Sequence, residues 1–121
     1  MKDNCIFCKI INNEIPCNKI YEDDKVLVFL DLNQDCVGHS LIIPKEHFVT
    51  LEDLDNELIN HIMMVAVKMS KLFKERLGND GLTLLQNNGL GQEVKHYHLH
   101  LLPKYENKVN LTVDEILDKL K

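Results

Sequence analysis

The sequence predicts an α+β protein, with an antiparallel sheet of about five strands, one long helix and short terminal helices. Short β-rich segments come first, one long segment with helical periodicity follows, and two further β-rich segments come after it. Because the strands come in runs and do not alternate one by one with helices, an antiparallel layer is favoured over repeated βαβ units. The chain has 121 residues, too few for two separate cores, so we expect a single domain over residues 1–121.

The first elements are short. A helical turn is predicted at Phe7–Ile11, where the apolar residues end at two asparagines. Strands are predicted at Asn18–Tyr21 and Val26–Leu30, because β-branched and aromatic residues there flank a polar turn. A third strand, Ser40–Ile43, stops before Pro44, which has no amide hydrogen for a strand ladder.

The long helix has the clearest pattern. Thr50 can cap its start, with Asp53 three residues later, and the helix is expected to end at Gly78. Apolar residues recur at helical spacing between these ends, which predicts one face turned towards the core. They are Leu54, Leu58, Ile62, Val65, Met69 and Leu72.

The remaining elements lie after Gly78. Strands are predicted at Leu82–Leu85 and at Val94–Leu102, the second one ended by Pro103. A final amphipathic helix is expected from Thr112, because Glu115 follows at the spacing of a capping box and apolar residues come next.

The composition excludes several classes of protein. Hydrophobic residues make up 45% of the chain and charged residues 27%, which is too apolar for a disordered protein. Fourteen basic and nineteen acidic side chains give a net charge of −5, which disfavours binding to a nucleic-acid backbone. No apolar stretch approaches the ~20 residues that cross a bilayer, and the first residues are too polar for a signal peptide. We therefore expect a cytoplasmic protein with neither a membrane nor a nucleic acid as partner.

Four cysteines lie in the first third of the chain. In a reducing compartment they are not expected to form disulfides, and the Cys5-x-x-Cys8 pair suits a metal or a redox centre better. Cys17 and Cys36 have no such spacing and are interpreted as small, partly buried hydrophobic residues.

The segment richest in potentially reactive side chains contains three of the six histidines, at His96, His98 and His100. On a strand, alternate side chains share one face, so the three imidazoles would project together while apolar residues face the other side. Such a row could chelate a metal, or one ring could attack an electrophile while its neighbours move protons. The Gly- and Asn-rich turn Asn87–Gln92 just upstream could present amides to a phosphate, which favours the second interpretation. Asp31 at a strand end would suit the hydroxyls of a ribose.

Several segments together resemble the histidine triad family. The run Gly91–Pro103 is similar to its signature, His-φ-His-φ-His-φ-φ with φ apolar. Cys5–Ile11, Glu14–Pro16, Phe29–Asp31 and Gly38–His47 also resemble that family in order and spacing. The resemblance is closest to its histidine triad nucleotide-binding branch, in the bacterial type with an N-terminal Cys-x-x-Cys, and implies a HIT-like fold and a homodimer.

The resemblance implies a hydrolase or transferase that cleaves purine nucleoside 5′-phosphoramidates. His98 matches the nucleophile that forms a covalent nucleotidyl-histidine, His100 the residue that contacts phosphate and assists the leaving group, and His39 an upstream orienting histidine. Two alternatives stay open: a dinucleoside polyphosphate hydrolase, and a zinc-stabilised nucleotide-binding module without turnover. No organic cofactor is expected.

The same resemblance assigns a nucleotide site and a zinc site. Either Asn87 or Asn88 would supply the pocket amide, with Asn87 favoured, and Glu93 stands where many relatives have a small hydroxyl residue. The nucleotide-binding positions are Ile6, Phe7, Ile10, Phe29, Asp31, Leu32, Asn87, Gly91, Gln92, Glu93, Val94, His98 and His100. One structural zinc per chain would be held by Cys5, Cys8, His47 and His96, a closed Cys₂His₂ set.

Overall fold

A computed structural model describes residues 4–121. The structure contains one antiparallel five-stranded sheet, as the sequence predicts, and its strand order is β1-β2-β3-β5-β4. The strands are β1 (Asn18–Glu22), β2 (Val26–Leu30), β3 (Ser40–Pro44), β4 (Gly81–Leu85) and β5 (Leu99–Lys104). The helices are α1 (Ile6–Ile11), α2 (Asn56–Leu77) and α3 (Val113–Leu120), and a 3-10 turn covers Leu51–Asp53.

The central strand β2 is packed on both of its faces, which explains why it is apolar at every position. Val26, Val28 and Leu30 of β2 belong to the larger core, which they share with α2 and α3. Leu27 and Phe29 point the other way, into a smaller core beneath α1. The thin layer formed by α1 leaves part of the second face uncovered, and the candidate site lies there.

The long helix starts later than the sequence predicts. Thr50 and Asp53 do form a capping box, but it caps only the 3-10 turn Leu51–Asp53. The helix begins at Asn56, where the carboxylate of Asp55 accepts a hydrogen bond from the Leu58 amide. The long helix therefore takes its N-cap from Asp55, five residues after the predicted cap. The predicted end is confirmed, because Gly78 adopts a left-handed φ of 68° after the last turn.

The last strand is displaced from its predicted range of Val94–Leu102 and runs from Leu99 to Lys104. Before Leu99 the chain does not join the sheet: the Tyr97 amide donates to the Phe48 carbonyl in the loop after β3. Pro103 does not end the strand. The pairing of β5 with β3 stops at Leu101, so the missing amide hydrogen of Pro103 removes no hydrogen bond to β3.

The alternation expected around the histidines is nevertheless present. Tyr97, Leu99 and Leu101 all belong to the larger core with α2. The intervening imidazoles contact the α1 side, where Phe7 packs edge-on against His98. An extended backbone is enough for this alternation, whether or not it pairs in a sheet. Within residues 4–121, the structure contains no helix that is both long and apolar enough to span a membrane.

Asp23 organises the turn between β1 and β2. Its carboxylate accepts hydrogen bonds from the Lys25 and Val26 amides, from the Tyr21 hydroxyl and from Nε2 of His61 on α2. Partial burial by itself raises the pKa of Asp23, but these four donors outweigh burial and hold the pKa well below its usual range. The charged carboxylate therefore stabilises the folded state.

We predict that Asp23→Ala lowers the free energy of unfolding by on the order of 2 kcal/mol at pH 7, because the four donors lose a charged acceptor. The folded-state pKa is depressed, so this contribution is complete above the unfolded value of about 4 and is lost as the pH falls below it. Urea unfolding of both proteins at pH 7 and at pH 3 measures the difference.

Asp24→Ala is the matched control, because Asp24 is the exposed neighbour in the same turn. Its effect is expected to be within about 0.5 kcal/mol at both pH values. An Asp23→Ala penalty equal to that of Asp24→Ala, or one that grows as the pH falls, would contradict this account of the turn.

Candidate functional site

A cavity of about 710 Å³ opens on the face of the sheet that α1 covers incompletely, a size typical of small-molecule sites. Its walls come from α1, from the end of β2 with the loop after it, and from the segments around Asn87 and His98. Twelve of the predicted catalytic and nucleotide-binding residues line it. They are Ile6, Phe7, Ile10, Phe29, Asp31, Leu32, His39, Asn87, Glu93, Val94, His98 and His100.

Gly91 and Gln92 do not line the cavity. The Gln92 amide donates to the Gly89 carbonyl, and its side chain donates to the Val49 carbonyl at 2.6 Å and accepts from the Gly89 amide. Gln92 is buried and Gly91 has a φ of 91°. Both residues therefore shape the turn, and the expectation that the Gln92 amide holds phosphate is not supported by its hydrogen bonds.

The two asparagines of the turn have different surroundings. The Asn88 side chain accepts a hydrogen bond from the Leu51 amide at 2.7 Å and donates to the Gln86 side chain. Asn87 lines the cavity. The amide that can reach a ligand is thus that of Asn87, while Asn88 ties the turn to the start of the 3-10 segment.

A main-chain carbonyl fixes the orientation of His98. Its Nδ1 lies 2.8 Å from the carbonyl oxygen of His96, and since a carbonyl can only accept, Nδ1 carries the hydrogen. In the neutral ring the lone pair is then on Nε2. His98 is 7% exposed and packs edge-on against Phe7, with a centroid distance of 5.1 Å. A buried imidazole with a defined tautomer can act as a nucleophile.

His39 and His100 form a hydrogen-bonded pair. Nδ1 of His39 lies 2.9 Å from the carbonyl of Asn33, so it donates and leaves its lone pair on Nε2. That Nε2 lies 3.0 Å from Nδ1 of His100, which is therefore the donor when both rings are neutral. Two carboxylates flank His39, with Asp31 at 3.6 Å from Nε2 and Asp35 at 3.9 Å from Nδ1.

The surroundings favour the neutral form of His100. Burial lowers the pKa of His100, and the nearby imidazoles of His98 and His39 lower it further. The carboxylates of Asp31 and Asp35 act in the opposite direction but do not compensate. An anion bound in the cavity would raise the pKa of His100 and favour its protonated form.

A second cluster lies behind Phe7 and contains Cys5, Cys8, His47 and His96. Nδ1 of His96 lies 3.4 Å from the Cys5 sulfur and 3.2 Å from Nδ1 of His47, and the Cys8 sulfur is 3.3 Å from that same atom of His47. All four donor atoms lie within 4.8 Å of one another. Two thiols and two imidazoles at these separations could hold a metal ion.

The orientation of His96 suits a metal ligand. Its Nε2 lies 2.8 Å from the Pro44 carbonyl and donates to it, which leaves the lone pair on Nδ1, the nitrogen that faces the sulfurs. Burial lowers the pKa of His96 to about 4. The ring is therefore neutral at pH 7, the form in which imidazole binds metals.

The sequence did not indicate every residue of the site. Cys17 packs half-buried against the smaller core, as the sequence predicts, but it also lines the cavity, which the sequence does not indicate. Asn33 contributes through its main-chain carbonyl, which no side-chain pattern can predict. Asp35 lies beside His39 only because of the turn between β2 and β3.

Comparison with known proteins finds matches along most of the chain. The HIT domain family matches residues 12–107. A HIT-like protein of Methanocaldococcus jannaschii is 43% identical over 97% of this chain and 98% of its own length. The adenosine 5′-monophosphoramidase of Saccharomyces cerevisiae is also 43% identical, over 90% of this chain and 68% of that protein. A zinc-bound histidine triad family protein from Mycobacterium smegmatis superposes with a TM-score of 0.84, at 30% identity, covering 97% of this chain and 93% of the other.

Proposed function

The chain belongs to the HIT domain family, and from that premise we propose that it hydrolyses purine nucleoside 5′-phosphoramidates through a covalent nucleotidyl-histidine. The observation that carries the proposal is the orientation of His98, whose Nδ1–H is held by a main-chain carbonyl and whose Nε2 keeps its lone pair in the neutral ring. The yeast relative named as an adenosine 5′-monophosphoramidase supports the choice of substrate class.

In the first step, Nε2 of His98 attacks the α-phosphorus and the phosphorus–nitrogen bond to the leaving amine breaks. An amine leaves poorly as an anion, so it must receive a proton, and His100 supplies it. The anionic phosphate favours protonation of His100, and His39 accepts the hydrogen bond from Nδ1 of His100 throughout.

In the second step, water attacks the same phosphorus and the bond from phosphorus to Nε2 of His98 breaks. The neutral His100 left by the first step accepts the proton of that water. The products are a nucleoside monophosphate and the regenerated His98. Asn87 and Val94 line the same cavity as His98, and in this mechanism the Asn87 side chain and the main-chain amides near Val94 donate to the phosphoryl oxygens.

The cavity also suits the nucleoside. Apolar side chains of α1 and β2 form a slot for a base, and the rim residues Ile6 and Leu32 are exposed, at 47% and 83%. Asp31 accepts a hydrogen bond from the Asn33 amide through Oδ1, and its carboxylate keeps acceptor sites for two ribose hydroxyls.

We predict that His98→Ala cleaves adenosine 5′-phosphoramidate at least about 1,000-fold more slowly than the wild type, because no other group replaces the nucleophile. Release of AMP measured by chromatography gives the rates. Diadenosine polyphosphate assayed alongside compares a nucleotide with an amine as leaving group, and the amine substrate is expected to be cleaved faster.

His61→Ala is the control, since this histidine bonds to Asp23 on the other side of the sheet and lies outside the cavity. It should retain the wild-type rate at a temperature where thermal unfolding shows it folded. Equal rates for His98→Ala and the wild type would contradict the mechanism, and no turnover by the wild type would favour a binding protein.

We propose in addition that Cys5, Cys8, His47 and His96 hold one structural zinc per chain. Four protein ligands leave no open position, which is typical of structural zinc. The bound ion would join α1 to the segment that carries the histidines, and it would fix Phe7, which lies between the two cysteines and packs against His98. The zinc-bound relative from Mycobacterium smegmatis supports the choice of metal.

Elemental analysis tests the zinc proposal. Wild-type protein purified without chelator is expected to contain about one zinc per chain, and Cys8→Ser clearly less, because one thiolate ligand is lost. Cys36→Ser, which changes a half-buried cysteine outside the cluster, should match the wild type. Wild-type protein without zinc, or equal zinc in both variants, would refute the proposal.

A homodimer through β4 is also proposed, because the two edges of the sheet differ. The β1 edge carries the charged residues Lys19 and Glu22, which discourage pairing with another strand. The β4 edge is Gly-Leu-Thr-Leu-Leu, with Leu84 and Leu85 each 41% exposed. An uncharged apolar edge strand is suited to pair with the same strand of a second copy.

We predict that Leu84→Lys shifts the protein from dimer to monomer, because a charge would be buried at the pairing edge. Light scattering after size exclusion measures the mass. Leu32→Lys places the same charge at the mouth of the cavity and should leave the dimer intact. A wild-type monomer, or a Leu84→Lys dimer of unchanged strength, would argue against this interface.

A further inference from the structure

We propose that Asp31, His39 and His100 form a second metal site, which takes a divalent transition-metal ion such as Zn²⁺ and inhibits turnover when occupied. Nε2 of His39 lies 3.0 Å from Nδ1 of His100 and 3.6 Å from Oδ2 of Asp31. All three donor atoms lie within 4.8 Å of one another. Ligands at about 2.0–2.2 Å from a tetrahedral zinc are roughly 3.3–3.6 Å apart, so an ion requires only small movements of these side chains.

The donor set differs in kind from the cysteine cluster. Two imidazoles and one carboxylate are typical of sites that keep an open position, whereas two thiolates and two imidazoles close a tetrahedron. Asp31 and His100 line the cavity, so the remaining position of the ion would face it. Without thiolates, the second site is expected to bind zinc more weakly than the first and to exchange it readily.

The hydrogen bonds of His39 and His100 orient both rings for binding an ion. The Asn33 carbonyl holds the hydrogen of His39 on Nδ1, so the lone pair of Nε2 already faces the site. His100 needs only to move its hydrogen from Nδ1 to Nε2, a change of tautomer, to turn the lone pair of Nδ1 towards His39. Asp31 supplies negative charge, and Asp35 adds more from 3.9 Å on the far side of His39.

An ion at this position would interfere with the chemistry of the cavity. It would replace the hydrogen bond between His39 and His100, so His39 could no longer accept from the residue that moves protons. It would also engage the Asp31 carboxylate that faces the ribose. Inhibition rests on the proposed hydrolase function, whereas binding of the ion does not.

Calorimetric titration with ZnCl₂ at pH 7.5, without nucleotide, tests the binding. Protein whose cysteine cluster has first been loaded with zinc and freed of excess metal is expected to take up one further ion per chain. Asp31→Asn should weaken this further binding by about tenfold or more, because a carboxylate ligand becomes a poor amide ligand.

Asp35→Asn is the matched control. It removes an equal charge close to the other nitrogen of the same ring but removes no ligand atom, so we expect it to weaken zinc binding much less than Asp31→Asn does. Absence of a further ion in the wild type, or equal weakening by the two substitutions, would overturn the site.

The inhibition is measured separately with adenosine 5′-phosphoramidate. Zinc should inhibit the wild type over the same concentration range as the further ion binds, and a weak chelator should reverse the effect. Full activity of a protein that calorimetry shows to be saturated with the second ion would overturn the inhibitory role. If no hydrolysis occurs at all, the proposed function fails, and the calorimetric result still decides whether the site exists.

Discussion

The arrangement of the site depends on main-chain carbonyls that accept a hydrogen bond from one nitrogen of a histidine ring. Pro44 does this for His96, His96 for His98, and Asn33 for His39. A carbonyl cannot donate, so each bond places a hydrogen on a known nitrogen and a lone pair on the other. Three chemically identical side chains thereby acquire different orientations, one towards the cysteines, one with Nε2 available for attack and one towards a neighbouring imidazole.

The short helix α1 connects the two clusters of the molecule. Its N-cap Cys5 and its residue Cys8 contact His96, while Phe7 packs against both His96 and His98 with ring centroids 5.7 and 5.1 Å away. A six-residue helix has little stability of its own. Interactions that stabilise the cysteine cluster therefore also fix α1, which forms the apolar wall of the cavity.

Much of this could be predicted from the sequence, because period-two alternation and capping residues are local properties. The apolar β2, the core-facing stripe of α2 and the capping box of α3 at Thr112 and Glu115 are confirmed. The family model and the solved relatives confirm the predicted family and fold. Errors arise where a distant partner decides the structure. The last strand starts later than predicted because Tyr97 bonds to Phe48, 49 residues away in sequence. Gln92 turns from the cavity because its side chain bonds to Val49. No local pattern contains those contacts.

The central claim is that the His96 carbonyl holds the hydrogen of His98 on Nδ1 and leaves the lone pair on Nε2. Nitrogen-15 NMR of the histidine side chains at a pH near 8 measures this directly. In a neutral imidazole ring, the nitrogen that carries the hydrogen and the nitrogen that carries the lone pair have different chemical shifts. We expect His98 to be the Nδ1–H tautomer, whereas the more common form of free histidine is Nε2–H. A neutral His98 with its hydrogen on Nε2 would contradict it, since that nitrogen could not attack phosphorus.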